Sequence, residues 1–517
     1  MPERYDYVIV GAGSAGCVLA NRLSEDPERS VLLLEAGPRG RAKEIRIPAA
    51  FSKLFKSKFD WGYETVPQEG LNGRRVYFPR GKVLGGSSAM NAMMWIPGAR
   101  ADFDSWPGGW RWEDLQPYLR RVEEGACSIT QLADPNPMSR AFLESVAEEG
   151  VAGPGHLRPE SLEGASLVRV TQRRGLRCRA ADNYLKRVRR RRNLTILTGS
   201  QATRIEFDGA RATGVRYRRN GREESAMAWG EVILAAGAVG SPQLLMLSGV
   251  GPADHLGERG VTVVHDLPGV GQRLQDHPMA ISLFDAGGED SLYAAESPKQ
   301  LLRLLLRRRG MLTSNVGEAA AFVRTSDKLR APDLELIFGP VLYVEEGLVP
   351  PPAHGFSIAA VCLQPQSRGS VRLRSPDPLE PPAIDAGFLR DPKDLDALAA
   401  GVKLARRIAG APPLRPWYAG ERAPGEGVQG DDAVAEWIRA NAHTIYHPVA
   451  SCAIGRVVDD ELRVRGLEGL RVVDASVIPQ LVRGHTHAAT TMIAERAADL
   501  MRPARERGAR RAPHPTR

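Results

Sequence analysis

The feature that most restricts this chain lies in its first 35 residues. A short apolar run, Tyr7–Val10, passes without a spacer into "GAGSAG" at positions 11–16, and "CVLANRLSED" then reads as an amphipathic helix. A second apolar run, "SVLLLEAG", ends on Glu35, 19 positions after Gly16. Strand, G-x-G-x-x-G, helix, strand, acid is the order of a dinucleotide-binding βαβ unit, which predicts an α/β fold. Gly11 permits the tight turn, Gly13 lets backbone approach a pyrophosphate, and Gly16 lets helix and strand pack closely. The helix begins at Ser14 and Ala15, where unpaired N–H groups face the phosphates. Glu35, followed by Ala36, places a carboxylate where it can accept hydrogen bonds from a ribose diol. An acid there disfavours a 2′-phosphate, so NADP fits least well, while FAD and NAD both remain open.

Three later blocks narrow the choice. In "RGKVLGGSSAMNAMMWIPGARADFDSW" (80–106) the small residues Gly85, Gly86, Ser87 and Ser88 cannot fill a core. They let backbone run flush against something flat or anionic. In "GEVILAAGAVGSPQLLMLSGVGP" (230–252) a buried strand at Val232–Ala235 is followed by a small-residue turn and a helix opened by Ser241-Pro242. In "LRVVDASVIPQLVRGHTHAATTMIAERAADLM" (470–501) a strand precedes a turn carrying Asp474 and a long Ala-rich helix. On these blocks the chain resembles the glucose–methanol–choline (GMC) family of flavoprotein oxidoreductases. "LPGVGQRLQDHP" (267–278), "LQPQSRGSVRLRS" (363–375) and "YHPVASCAIG" (446–455) extend the resemblance, in order, from about Tyr5 to Met501.

The resemblance implies a Rossmann-like FAD-binding domain with an inserted α+β substrate domain that contains a large antiparallel sheet. The implied FAD-binding pieces are 1–110, 190–278 and 456–501, with a substrate-side helical segment at 111–189 and the substrate domain at 279–455. The residues themselves are consistent with this. Positions 280–450 lose the βαβ rhythm, and "GSVRLRS" alternates so that Val371 and Leu373 face a core. "PGVGQ" (268–272) follows no convincing strand, so a separate NAD(P) domain is not expected and electrons enter from an organic substrate. The resemblance also implies cofactor contacts at Asn91, Ala92, Met93, Met94, Ala202, Asp474 and Ala475, besides the glycine-rich loops. Met90 stands where some members carry a histidine bonded to the flavin, so FAD is expected to be non-covalent. Trp61 either packs against the flavin or is a plain core residue.

The remaining question is "GHTHAAT" (484–490). The resemblance puts His447 of "YHPVASC" and a second residue of this segment at the reactive face of the flavin. Aligned with the family's "GNTNAPT"-like pattern, His487 takes the active position and His485 a structural one. Oxidising an alcohol to an aldehyde or ketone requires removal of the hydroxyl proton. A neutral imidazole can accept it, with a benefit of roughly 10²–10⁴-fold. His447 is expected as principal base and His487 as positioning partner, with exchangeable roles, and His443 as a surface or supporting group. The same fold could instead house a flavin-containing lyase of the hydroxynitrile or photodecarboxylase type. No third ligand lies at suitable spacing for a metal at H-x-H. Ala450, Ser451 and Ala489 depart from the common family pattern, so no member's substrate transfers directly.

Composition excludes other classes. Of the net charge of +9, the tail from Arg502 to Arg517 contributes six arginines against one glutamate and is expected to be disordered. No aromatic-rich or helix-turn-helix pattern accompanies the charge, so nucleic acid is not an expected partner. No apolar run reaches the roughly 20 residues of a membrane span. Five scattered cysteines without a C-x-x-C pair suit a reducing cytoplasm. The expected partners are a small-molecule alcohol and an electron acceptor, either dioxygen or a quinone-type carrier reached by peripheral docking through the basic tail.

Overall fold

The computed structural model describes residues 3–502, so the tail from 503 onward, with the disorder expected of it, lies outside the described residues. Two seven-stranded sheets form the frame. In the first, Glu3–Val10 lies parallel to Val31–Glu35 on one side and to Arg222–Leu234 on the other. Leu194–Thr198 extends the parallel edge beyond Val31–Glu35. Val31, Leu32, Leu33 and Leu34 are all buried, the continuous apolar pattern of a strand covered on both faces.

The strand expected at Val232–Ala235 is the end of a 13-residue strand, Arg222–Leu234. Its first half pairs antiparallel with Arg211–Arg219, which pairs in turn with Ser200–Asp208. Its last residues pair parallel with Leu470–Val472, so the far end of the chain joins the same sheet. The helix that follows also starts earlier than Ser241-Pro242 suggests. It spans Gly237–Leu247 with Pro242 inside it. Asp474 makes this possible by accepting the Gly237 N–H at 2.8 Å and the Ser241 hydroxyl at 2.5 Å. Pro242 has no N–H to offer the carbonyl of Ala238, four residues back. The Ser451 hydroxyl donates to that carbonyl instead, at 2.6 Å. Both remedies come from parts of the chain remote from the helix.

The second sheet is antiparallel, in the order Tyr418–Ala423, Pro278–Ala286, Gly355–Cys362, Leu334–Gly339, Ala319–Val323, Gly164–Leu167, with His443–Thr444 paired to Pro278–Ala286. Side chains alternate across it. Phe284, Phe338, Phe356 and Ile358 pack on one face against Leu404, Ala405 and Ile408 of the helix Pro392–Gly410. Met279, Ile281, Ile337 and Ala359 point the other way and line a cavity between the two sheets. The C-terminal helix Thr486–Leu500 packs against Ser14–Leu23. Its fully buried Glu495 is compensated by Arg22 at 2.8 and 2.9 Å and by the Tyr184 hydroxyl at 3.0 Å.

Candidate active site

The cavity starts at the carboxyl ends of the parallel strands, where Gly11, Gly13, Ser14, Ala15, Glu35 and Ala36 form its wall. Gly13 caps the first helix without a side-chain bond, and no acid sits in the first turn. Its N–H groups are therefore available to an anion. Glu35 accepts the backbone N–H of Ala12 at 3.0 Å and of Gly37 at 2.8 Å. Burial raises its carboxyl to about 7. Gly86 and Ser87 continue the wall, followed by Asn91, Ala92, Met93 and Met94. Ala202, Asp474 and Ala475 face them.

Two expected contacts stand behind this wall. A Cβ on Gly16 would lie 1.8 Å from the Gly11 carbonyl oxygen, so Gly16 serves helix–strand packing. Gly85 donates its N–H to Ala12 O at 2.8 Å and turns away from the cavity. Gly86 makes the contact between the two loops: a Cβ there would lie 2.6 Å from Gly13 Cα. Behind Asn91 the buried Arg177 donates to Asn91 Oδ1 at 2.8 Å, and its Nη2 has no partner. Trp61 lines the cavity, stacked on Tyr63 with centroids 5.7 Å apart.

His447, His485 and His487 all reach the cavity, but not in the expected pairing. The His447 and His485 rings are 4.8 Å apart between centroids. His487 instead places Nδ1 2.8 Å from Ser14 Oγ, at the glycine-rich end, with its ring edge-on to Trp95. The cause is a change of backbone between the two histidines. His485 is the extended N-cap, and the helix begins at Thr486. An extended segment would aim residues i and i+2 the same way, whereas a helix turns about 100° per residue and separates them. His443, expected at the surface or in support, is buried behind the wall, with Nδ1 3.1 Å from Thr444 O.

Two buried partners that the sequence reading did not assign orient this pair. His277 Nε2 lies 3.1 Å from Leu363 O, and its Nδ1 lies 3.1 Å from His447 Nδ1. A carbonyl only accepts, so His277 carries its proton on Nε2. Burial, and then His485, lower the His277 pKa to about 3, so the ring is neutral and its Nδ1 is an acceptor. His447 therefore holds its proton on Nδ1, leaving Nε2 unprotonated towards the cavity. Burial, followed by His485 and His277, holds the His447 pKa well below the ordinary imidazole value. The second partner is Glu335, fully buried on the cavity side of Leu334–Gly339, with Oε1 3.1 Å from His485 Nε2. An acid within the apolar "LELIFG" and a histidine in "QDHP" were the available sequence signals.

The backbone around His447 is equally constrained. Asp276 accepts the N–H of His447 at 2.7 Å, the N–H of His277 at 2.9 Å and the Thr444 hydroxyl at 2.6 Å. Tyr446 has φ +68°, a costly conformation for a bulky side chain, and its carbonyl accepts from Arg80 at 2.6 Å.

The comparisons agree with this architecture. The N-terminal model of the GMC oxidoreductase family matches residues 5–279, and the C-terminal model matches 365–494. The chain belongs to the GMC oxidoreductase family. It is 48% identical to an uncharacterized GMC-type oxidoreductase of Mycobacterium tuberculosis, over 97% of this chain and 100% of that protein. It is 41% identical to an alcohol dehydrogenase [acceptor] of Pseudomonas putida, over 96% of this chain and 95% of that protein. The crystal structure of a pyridoxine 4-oxidase from "Mesorbium loti" superposes with a TM-score of 0.87 at 32% identity, covering 96% and 98% of the two chains. GMC members are oxidoreductases whose standard cofactor is FAD. The uncapped helix N-terminus and the closely apposed Gly13 and Gly86 on the cavity wall form a backbone cradle that fits its pyrophosphate.

Proposed function

We propose that this chain oxidises a largely apolar primary or secondary alcohol to the aldehyde or ketone, with His447 as base and His485 as positioning partner. The observation that carries this reading is the His277–His447 contact, which leaves His447 Nε2 unprotonated at the cavity. The alcohol hydroxyl donates its proton there. His485, oriented by Glu335, aligns the hydroxyl and so reduces the entropic part of the barrier. When bound, FAD supplies the acceptor for the hydride that leaves the carbinol carbon. Met94, Ile281, Val316, Ile337 and Ile445 line the cavity with apolar surface, which favours an apolar body over a polyol. FAD is held non-covalently, with Met90 on the cavity wall. His487 supports the dinucleotide end through Ser14.

Anaerobic mixing of the holoprotein with apolar, aryl, amino and polyol alcohols tests the reading. Bleaching of the yellow flavin by the apolar members is expected, and His447→Ala should slow it by about 10²–10⁴-fold. Product formation with the flavin unbleached would replace oxidation by lyase chemistry. No bleaching by any alcohol would refute the proposal. Reoxidation by dioxygen or by a quinone analogue then identifies the acceptor.

A further inference from the structure

The helix Pro298–Arg307 buries only Gln300 and Leu304. Leu301, Leu302, Leu305 and Leu306 are exposed by 45, 57, 57 and 75%. At about 100° per residue these four occupy an arc of about 140° directed away from the protein. Lys299, Arg303 and Arg307 follow on the flank of that arc, and the exposed Arg308 and Arg309 extend the basic edge. The stretch 298–309 contains no acid. Nearby carboxylates are engaged: Asp134 pairs with Arg303 at 2.9 Å, and Glu296 with Lys53 at 2.6 Å.

Leucines in a wide arc, bordered by cations, restrict what can cover them. A second copy in an antiparallel two-fold contact would set this patch against itself and bring the basic flanks side by side. A bilayer with anionic headgroups meets both demands, since leucines enter the acyl boundary while arginines stay at the phosphates. We infer that the helix Pro298–Arg307, with Arg308 and Arg309 just beyond its end, is an interfacial element that docks the protein on anionic phospholipid surfaces. Its position suits access to the cavity. The helix packs on the turn Met311–Thr313, which packs on Pro48–Leu54, whose Phe51 lines the cavity. The inference stands on surface geometry and charge, independently of the reaction assigned above.

Flotation of the full-length holoprotein with vesicles tests it. Binding is expected to vesicles of phosphatidylcholine mixed equally with phosphatidylglycerol, not to phosphatidylcholine alone, and should weaken with salt. Replacing Leu302 and Leu306 together by Glu should lower partitioning more than about tenfold. Replacing Arg307, Arg308 and Arg309 by Ala should lower it roughly fivefold per cation. Flavin content and turnover of a soluble alcohol should not change in either variant. Failure to bind the mixed vesicles, or leucine variants that bind like the parent, would overturn the proposal. So would light scattering showing a dimer that the leucine substitutions dissolve, which would assign the face to a second copy.

Discussion

At the scale of single residues, two histidines separated by one position have different surroundings, and substitution separates them. His485→Ala should slow anaerobic flavin reduction by about 10- to 100-fold with flavin retained, because it faces His447. His487→Ala should mainly lose flavin on dilution, because it bonds Ser14 beside the uncapped helix end. Equal effects on both readouts would refute this division. His277→Phe fills similar space but removes the acceptor that fixes the His447 tautomer. A fall of about tenfold in reduction rate is expected, with KM little changed. The pH dependence gives a second readout. His447 is held below the ordinary value of about 6.5, so its proton-accepting form persists as pH falls through that value and the rate should stay flat there.

At the scale of elements, the helix Gly237–Leu247 depends on groups that it does not contain. Asp474 caps its first turn, and Ser451 satisfies the carbonyl stranded by Pro242. Ser451→Ala leaves that buried carbonyl without a donor, at a cost of about 1–3 kcal/mol. Denaturant unfolding of the holoprotein should register the loss, and an unchanged midpoint would show that the helix finds another donor. Ser451 was legible only as a departure from the family pattern. Its role emerged once the loop carrying it was seen against Ala238.

At the scale of the whole molecule, the segment before the C-terminal helix ties the parts together. Arg483 bonds the buried Asp102, whose carboxylate also accepts the N–H groups of Ala99 at 2.9 Å and Arg483 at 2.7 Å. The same guanidinium donates to Pro332 O at 2.7 Å, next to the strand that carries Glu335. Asp102→Ala should therefore destabilise the fold by about 3–5 kcal/mol, since it leaves the Arg483 cation without its partner. It should also slow flavin reduction, because His485 lies two residues beyond Arg483. Thermal unfolding and the anaerobic rate together check this, and full stability with full activity would refute it.

The βαβ unit was legible in the sequence because its physics is local: apolar strands, glycines at a turn and an acid at a strand end lie within 35 consecutive residues. The glycine-rich loops and the presence of His447 on the cavity wall were equally readable. Which histidine joins His447 was not, because it depends on where an extended segment becomes a helix. Nor were the roles of His277, Glu335, Asp474 and Ser451, whose partners lie 86 to 237 positions away. Local patterns determine which elements form, but burial and proton placement at the site depend on long-range contacts that only the assembled chain creates.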